Sequence, residues 1–337
     1  MTRLDAETTE LLAEPEAPAD LGPRWLLLES REVPLGGVRG MEVHRSLPQR
    51  DLPMVGAWCF LDRFGPQVTR MRVEPHPHIG LQTVTWPFVG EIRHRDSVGS
   101  DVVLQAGALN LMTSGAGIAH SEYSVGDDPI PLDALQLWVA LPDSRRHGAP
   151  EFERHEDLPI IDLPSLAGAD AAAIVVLGTY AGVSSPATTY TPIVGAEVRI
   201  PPGSRVQLDL DPAWEHALIG VDGEVRVAHG PTSSEPDAAS VIGLDHRHLL
   251  YLGTQRDGVE LFSAEGATVF LLGGAPFEDD IVMWWNFVGR SHEEIVEARD
   301  AWEAASDRFG HVVGHGDVRI PAPPLPAVRL TQRRRRA

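Results

Sequence analysis

Glycine and proline interrupt the apolar segments of this chain at short intervals. The 337-residue sequence contains 32 Gly and 28 Pro, which bound apolar runs such as residues 25–28 and alternating runs such as residues 41–45. Short runs of this kind are typical of β-strands, because a globular helix needs a longer periodic segment. The sequence therefore predicts an all-β fold built from many short strands and tight turns.

The candidate strands fall into two blocks, which suits a chain long enough for two domains. The first block contains residues 25–28, 41–45, 58–62, 83–89, 101–105, 109–112 and 135–139. The second contains residues 197–200, 206–210, 217–221, 224–227, 249–252 and 268–272. Asp222-Gly223 separates two strands of the second block and predicts a β-hairpin. Residues 142–172 have little regular pattern, so we expect the connection between the domains there.

The two ends of the chain differ from the strand blocks. Residues 1–22 are acidic and rich in Ala and Pro, which predicts a disordered leader or, alternatively, a short helix of low stability. Ser291 and Glu294 form a capping-box pattern before helically spaced apolar residues, so we expect a short helix from Ser291 to about Ser306. The residues that follow are predicted to form a flexible tail that ends in the basic run at residues 333–336. The expected division is a leader over 1–22, β domains over 23–145 and 146–290, and the helix and basic tail over 291–337.

Charge and cysteine content limit the partners and the compartment. The net charge is −20, and an acidic surface repels nucleic-acid phosphates, so no direct nucleic-acid binding is expected. No apolar segment is long enough to span a bilayer, and the N-terminus lacks the pattern of a signal peptide. Cys59 is the single cysteine, which excludes a disulfide within the chain, and its apolar neighbours predict a buried thiol. These features predict a cytoplasmic protein without a membrane partner.

Two pairs of metal-binding residue types share the same spacing. His76 and His78 are separated by one residue, as are His120 and Glu122. On a strand, residues at this spacing point to the same face, so two such strands can bring three imidazoles and one carboxylate together. This set suits one divalent transition metal, with Fe(II), Mn, Co, Ni, Cu and Zn all possible. A set of four ligands also leaves positions for water, oxygen or substrate, as in catalytic metal sites.

Other histidines give weaker signals. His246 and His248 form a second pair at this spacing, but no histidine–glutamate pair follows on a strand, so a polar strand edge is the expected role. His311 and His315 have helical spacing, although the surrounding glycines argue against a helix. His94 lies between two arginines and is expected on a solvated strand face.

Trp284 and Trp285 are adjacent aromatic residues near the end of the second strand block. We interpret them as part of a packing seam between the two domains rather than as a ligand platform.

Four stretches of the first half, at residues 55–66, 75–85, 112–122 and 135–139, form a recognisable series in order and spacing. Through them the sequence resembles the pirin family of bicupins over about residues 38–141. The resemblance is weaker in the second half, where residues 272–276 and 287–288 keep part of the family pattern. The resemblance implies two tandem antiparallel cupin β-barrels. It makes residues 23–145 an N-terminal cupin domain with the metal site and residues 146–290 a metal-free, cupin-like C-terminal domain.

The resemblance also implies a ligand set and a choice of functions. The family's metal ligands fall on His76, His78, His120 and Glu122, and the metal expected from the family is Fe(II). Some members cleave the flavonol quercetin with O2. If this chain does the same, our hypothesis is that Glu122 takes the proton of the flavonol hydroxyl. Others act through protein partners in transcriptional or metabolic regulation. The sequence thus predicts a quercetinase-type dioxygenase or, alternatively, a non-enzymatic metal-binding regulator. A metal protein with an unrelated small-molecule substrate is the third possibility, because the cupin fold supports many chemistries.

This chain departs from the common family pattern around the ligands. It has Ile79, Leu81 and Gln82 after the second histidine, and Arg63 where a His is frequent. Residues 285–290 also differ from the usual run. None of these changes removes a ligand, but residues around a metal site orient its ligands and tune its chemistry. We therefore expect the departures to affect substrate choice and the properties of the metal.

Overall fold

The computed structural model describes residues 22–35, 41–229 and 241–332. Residues 1–21 of the predicted leader and the basic run at 333–336 lie outside the described residues, so both stay predictions.

The predicted runs of the first half lie within or overlap strands of the structure. The strands of this half are β1 (Pro23–Glu29), β2 (Arg31–Leu35), β3 (Met41–Leu47), β4 (Trp58–Thr69), β5 (Arg72–His78), β6 (Leu81–Val89), β7 (Ile92–Asp96), β8 (Asp101–Leu104), β9 (Leu109–Thr113), β10 (Ile118–Ser124), β11 (Ile130–Ala140) and β12 (Glu151–His155).

The second half contains further strands and then a helix. These elements are β13 (Ile160–Leu163), β14 (Ser165–Ala167), β15 (Ala171–Tyr180), β16 (Val183–Ser184), β17 (Ile193–Ile200), β18 (Ser204–Asp209), β19 (Glu215–Gly223), β20 (Val225–His229), β21 (Val241–Leu244), β22 (His248–Gly253), β23 (Gly258–Ser263), β24 (Ala267–Gly274), β25 (Val282–Trp284), β26 (Phe287–Gly289) and α1 (His292–Glu303), followed by a short 3-10 turn, Asp307–Phe309.

Each domain consists of two antiparallel sheets. In the N-terminal domain a seven-stranded sheet, β12-β9-β6-β11-β4-β3-β2, faces a four-stranded sheet, β5-β10-β7-β8. In the C-terminal domain an eight-stranded sheet, β1-β22-β19-β24-β17-β15-β13 with β16 on β15, faces a five-stranded sheet, β14-β18-β23-β20-β21. The predicted all-β fold of two cupin domains with a short C-terminal helix is confirmed. Two strand pairings, β1 with β22 and β12 with β9, join residues of the two predicted ranges 23–145 and 146–290. The division into these ranges stays a prediction.

Strands β12, β13 and β14, which the sequence did not reveal, lie at sheet edges, whereas the equally unpredicted β15 and β23 lie inside their sheets. Residues 142–172 were expected to lack regular structure, yet they contain β12, β13 and β14. Each of these strands ends the order of its sheet. Edge strands carry charged and exposed residues, which hides the apolar alternation that identifies a central strand.

The hairpin predicted at Asp222-Gly223 is wrong. Strand β19 is bordered by β22 and β24, so neither of its edges is open to β20. Strand β20 pairs with β21 and β23 in the opposing sheet. Gly223 has φ of +69° and still pairs with Ala267, after which the chain passes from one sheet to the other.

The two large sheets pack against each other and form an apolar interface between the domains. Successive residues of β11 point to opposite faces of the seven-stranded sheet. Leu135 and Leu137 pack in the interface between the domains, while Ala134 packs in the core inside the N-terminal domain. From the other domain, Phe270 and Leu272 of β24 enter the same interface. The seven-stranded sheet is therefore covered on both faces.

The end of the second domain and the helix that follows it pack on the outside of the four-stranded sheet. The predicted helix is confirmed, with Ser291 at its N-cap accepting a hydrogen bond from the Glu294 amide. Trp284 and Trp285 pack on a cluster that includes Ile295 of this helix. Trp284 and Trp285 thus pack where the end of the second domain meets Ile79 and Ala119 of the first, while Trp58 lies in the interface between the two large sheets.

No helix in the described part of the chain combines the length and the apolar character that crossing a membrane requires.

Candidate metal centre

The three predicted histidine ligands lie on two adjacent strands of the four-stranded sheet. His76 and His78 stand on β5, and His120 pairs with His76 from β10. The chain enters β10 through a tight turn in which Gly115 has φ of +50°. A Cβ at Gly115 would lie 2.1 Å from the carbonyl oxygen of Gly148, so only glycine fits the turn that places His120.

The rings of these residues form a compact group, called here the histidine cluster (His76, His78 and His120). One ring nitrogen from each lies within 4.8 Å of the others. Nε2 of His78 is 3.0 Å from Nε2 of His120, and the ring centroid of His76 is 4.3 Å from that of His120. Their exposed fractions are 7%, 1% and 0%. The structure therefore brings the three predicted histidines together in a buried position.

Hydrogen bonds at Nδ1 fix the proton on two of the rings. Nδ1 of His76 lies 2.9 Å from the carbonyl oxygen of Glu74, and Nδ1 of His78 lies 3.1 Å from that of Asn286. A carbonyl oxygen only accepts, so in both rings Nδ1 carries the hydrogen and Nε2 keeps a lone pair. In both His76 and His78, Nε2 is therefore the ring atom whose lone pair can bind a metal.

The contact between His78 and His120 tests whether a metal fits. The Nε2 lone pair of His78 points at Nε2 of His120 over 3.0 Å. If His120 also presents a lone pair there, the two atoms repel each other unless a cation binds both. Imidazole nitrogens are common ligands of divalent transition metals, so the donor set of the cluster fits such an ion.

Burial keeps the imidazoles of the cluster neutral. It lowers the pKa of His76 to about 4, against the effect of the hydrogen bond to Glu74. It also lowers the pKa of His78 and of His120 well below the usual value, and the neighbouring imidazoles act in the same direction. Neutral imidazole is the form that binds a metal, so the cluster is ready to bind at neutral pH.

Glu122 lies beside the cluster. Its carboxylate forms a second group with His94 and His120, with one ligand atom from each within 4.8 Å of the others. Glu122 is 6% exposed, and burial raises its pKa, although nearby His94 and a hydrogen bond from Thr85 act in the opposite direction. The structure thus places all four predicted residues in one region, and ligation by Glu122 stays a proposal.

Thr85 links Glu122 to the opposing sheet. Its Oγ1 lies 3.2 Å from Oε1 of Glu122 and 2.9 Å from Oε1 of Gln136. One hydroxyl hydrogen serves only one acceptor, so the second contact needs a proton on Glu122 or an amide nitrogen of Gln136 turned toward Thr85. The carboxylate of Glu122 is therefore held in a polar contact on the inner face of β6.

His94 contradicts its predicted role on a solvated strand face. It is 2% exposed, and its ring stacks on Phe152 with centroids 4.6 Å apart. Nδ1 of His94 lies 3.3 Å from Nδ1 of His120, and Nε2 lies 3.1 Å from Asp96 Oδ2. His94 and Asp96 are separated by one residue, the spacing of both ligand pairs, and this signal could have identified them.

Aromatic side chains border the histidine cluster. The ring of Trp138 meets that of His78 edge-on with centroids 5.2 Å apart, and Phe60 stacks on Trp138 at 4.0 Å. The predicted burial of Cys59 is confirmed, and its thiol lies 3.6 Å from the Trp138 carbonyl oxygen. The cluster therefore has an apolar, planar wall on one side.

Comparison with known proteins identifies the family. The sequence model of the pirin family matches residues 40–139, and that of the pirin C-terminal cupin domain matches residues 195–310. A Pseudomonas aeruginosa protein named "Putative quercetin 2,3-dioxygenase PA1205" is 42% identical over 304 residues, which cover 88% of this chain and 89% of that protein. This chain belongs to the pirin family.

Solved structures of related proteins agree with this assignment. A quercetin 2,3-dioxygenase from Acinetobacter baumannii superimposes with a TM-score of 0.81 and 35% identity, over 91% of this chain and 97% of that one. The bacterial pirin YhhW from Escherichia coli, solved in complex with nickel(II), has a TM-score of 0.55 and 14% identity, over 75% of this chain and all of that one. The second likeness shows the shared fold alone.

The departures from the common pirin pattern lie next to the site or between the domains. Ile79 and Leu81 are buried in apolar clusters. Gln82 donates to Thr113 and to the backbone of Thr188 in the C-terminal half. Asn286, from the altered run at residues 285–290, supplies the carbonyl oxygen that holds His78. The altered residues therefore act on packing and on one ligand's orientation.

The other candidate histidines lie away from the cluster. His248 contacts Asp245 at 2.6 Å, and both groups of possible ligands found among the described residues lie in the N-terminal domain. The metal-free state of the second domain stays a prediction. His315 lies outside any helix, as expected, yet it is buried and contacts the Ser121 hydroxyl at 2.9 Å and the Tyr123 hydroxyl at 3.2 Å on β10. It packs behind the cluster rather than in it.

A large cleft of about 1350 Å³ lies between the domains, away from the histidine cluster. Two ion pairs border it: the buried pair of Arg63 with Asp133, and the pair of buried Glu197 with exposed Arg199. None of the four predicted metal residues lines this cleft. The histidine cluster is therefore the candidate metal centre, because the possible ligand atoms of the described residues converge there and not in the cleft.

Proposed function

We propose that this protein is a metal-dependent dioxygenase that cleaves a flavonol with O2 in the manner of a quercetinase. The observation that carries the proposal is the buried histidine cluster, in which Nε2 atoms of neutral imidazoles converge. Similarity to quercetin 2,3-dioxygenases over nearly the whole chain supports the choice of reaction.

His76, His78 and His120 would hold one divalent metal, with Glu122 as the fourth ligand and Fe(II) as the expected ion. When bound, the metal would act as a Lewis acid that favours the ionised form of the flavonol hydroxyl. The neutral histidines leave the charge of the ion uncompensated, so Glu122 is the anionic member of the set.

Glu122 takes the proton of the flavonol hydroxyl. Burial raises the pKa of Glu122, which favours retention of that proton. Thr85 holds the carboxylate in position through its contact with Oε1. Trp138, beside His78 and stacked on Phe60, offers an aromatic face to a planar substrate. In the overall reaction O2 enters the cleaved product, and one ring carbon leaves as carbon monoxide.

The test uses the purified protein loaded anaerobically with Fe(II) and then mixed with quercetin and O2. We expect loss of flavonol absorbance with an equal amount of carbon monoxide, and near-stoichiometric iron by elemental analysis. His120→Ala should lose both the iron and the reaction. His246→Ala, a matched change in the second histidine pair, should keep both. Unchanged flavonol absorbance without carbon monoxide would contradict the proposal for this substrate.

The burial of the cluster favours a second candidate function. All four residues are less than 8% exposed, and a closed site suits a metal-binding regulator that acts through a protein partner. In that case metal loading and iron oxidation alter a docking surface. Partner binding that is indifferent to His120→Ala and to iron oxidation would contradict this alternative.

A further inference from the structure

We infer that Asp96 and His94 are positioning residues that fix which nitrogen of His120 faces the metal. The inference rests on the metal site of the proposed function. Two cluster members have Nδ1 bound to backbone carbonyl oxygens, of Glu74 and of Asn286. The third, His120, has Nδ1 against a histidine. A carbonyl can only accept, whereas a histidine nitrogen either donates or accepts.

The proton on His94 therefore decides the tautomer of His120. The two Nδ1 atoms lie 3.3 Å apart, so one of them carries the hydrogen between them. If Nδ1 of His94 accepts, His120 carries its hydrogen on Nδ1 and turns a lone pair on Nε2 toward His78. If Nδ1 of His94 donates, the hydrogen of a neutral His120 moves to Nε2, and the ring loses its donor atom for the metal.

Asp96 selects the first arrangement. Its Oδ2 lies 3.1 Å from Nε2 of His94, and a carboxylate accepts, so the hydrogen of a neutral His94 lies on Nε2. Its Oδ1 accepts from the backbone amides of Val98 at 3.0 Å and Ser100 at 2.9 Å. Asp96 is 2% exposed and has both oxygens engaged. Its orientation is therefore fixed by the turn between β7 and β8.

Asp96→Asn should reverse the chain of hydrogen bonds. The two backbone amides need an acceptor, so the Asn carbonyl oxygen takes the place of Oδ1. The amide nitrogen then faces His94 and donates to its Nε2. The hydrogen of His94 moves to Nδ1, and that of His120 moves to Nε2. The substitution changes two atoms of the side chain and almost none of its volume.

The experiment is a nickel(II) titration of the purified full chain with four variants. We expect Asp96→Asn to bind nickel about 10–100-fold more weakly than wild type, as for other residues that orient metal ligands. His94→Gln, whose amide can donate to Asp96 and accept from His120, should bind more tightly than His94→Phe. Asp101→Asn, the same chemical change on the exposed side of the β7–β8 hairpin, should not alter binding.

A second readout reports the tautomer without metal or flavonol. In the metal-free protein labelled with ¹⁵N-histidine, His94 should carry its hydrogen on Nε2 in wild type and on Nδ1 in Asp96→Asn, with His94→Gln providing the assignment. A wild-type His94 that carries its hydrogen on Nδ1 alone, or nickel affinity in Asp96→Asn equal to wild type, would overturn the inference. If Asp96→Asn does not fold, equal nickel affinities of His94→Gln and His94→Phe would overturn it. Failure to cleave quercetin would leave both readouts unaffected.

Discussion

Nδ1 of His78 donates to the backbone carbonyl of Asn286 over 3.1 Å, although the two residues are 208 apart in the sequence. Asn286 lies in the turn between β25 and β26, where Trp285 has φ of +53°. The amide of Val288 donates to the carbonyl of Ile79 at 3.1 Å and continues this contact along β26. A hairpin from the end of the second domain therefore forms part of the wall of the metal centre.

This contact predicts that packing of the hairpin, rather than the Asn286 side chain, supports metal binding. Phe287→Ala removes a ring that is 0% exposed, which costs about 3–5 kcal/mol of unfolding free energy and loosens the carbonyl that holds His78. We expect nickel affinity to fall about 10-fold or more. Asn286→Ala keeps the carbonyl and should leave the affinity unchanged. Urea unfolding and calorimetric titration measure both, and equal affinities in the two variants would contradict the prediction.

The sequence predicted the histidine cluster because its signal is local. The one-residue spacing of His76 and His78 places both on one face of any strand. The partners that hold the rings could not be predicted in this way. Asn286 acts through a backbone carbonyl, which has no signature in the residue type, and His94 was identifiable only by its relation to Asp96.

The fold shows the same difference between features with a local sequence signal and features that depend on distant residues. The central strand β11 was predicted, because burial on both faces gives it an apolar run, whereas the central strands β15 and β23 were missed. The hairpin at Asp222-Gly223 was predicted wrongly, because the local turn signal does not show that both edges of β19 are occupied. Competition between strands for an edge is a tertiary effect.

One polar contact within the interface between the domains should contribute measurably to stability. Nε1 of Trp86 donates to Oε2 of Glu197 at 2.7 Å, and both residues are almost fully buried. Trp86→Phe removes a partner from a buried carboxylate, so the free energy of unfolding should fall by about 1–3 kcal/mol. Trp214→Phe, at a partly buried tryptophan that packs on the core of the second domain, is the comparison. Equal losses in urea unfolding would show that the hydrogen bond contributes nothing specific.

The buried pair of Arg63 and Asp133 should show strong coupling. Two hydrogen bonds, at 2.9 and 2.7 Å, join the side chains, while Nη1 of Arg63 has no hydrogen-bond partner among the described residues. Asp133→Asn leaves a buried guanidinium without its countercharge and should cost about 3–5 kcal/mol. The double variant Arg63→Met/Asp133→Leu should cost less than the single one, because no buried charge remains.

A surface ion pair provides the control for this cycle. Arg70 and Asp127 are joined at 2.8 Å, but the Asp127 side chain is 92% exposed. Asp127→Asn should produce no measurable change in urea unfolding, because water screens exposed pairs. A double variant at Arg63 and Asp133 that is less stable than Asp133→Asn alone would contradict the proposed cost of the unpaired charge.

His216 should make the protein less stable in mild acid. Burial lowers its pKa to about 4 from an ordinary value of 6.5, against the effects of Asp211 and of the Trp214 backbone. Between these two values the unfolded chain binds a proton that the folded chain does not, so unfolding becomes more favourable as the pH falls. The loss attributable to this residue is about 3 kcal/mol between pH 6.5 and pH 4. His216→Phe, which cannot bind a proton, should lose correspondingly less stability over that range in urea unfolding of the metal-free protein. A pH dependence identical in wild type and variant would show that His216 is protonated in the folded state.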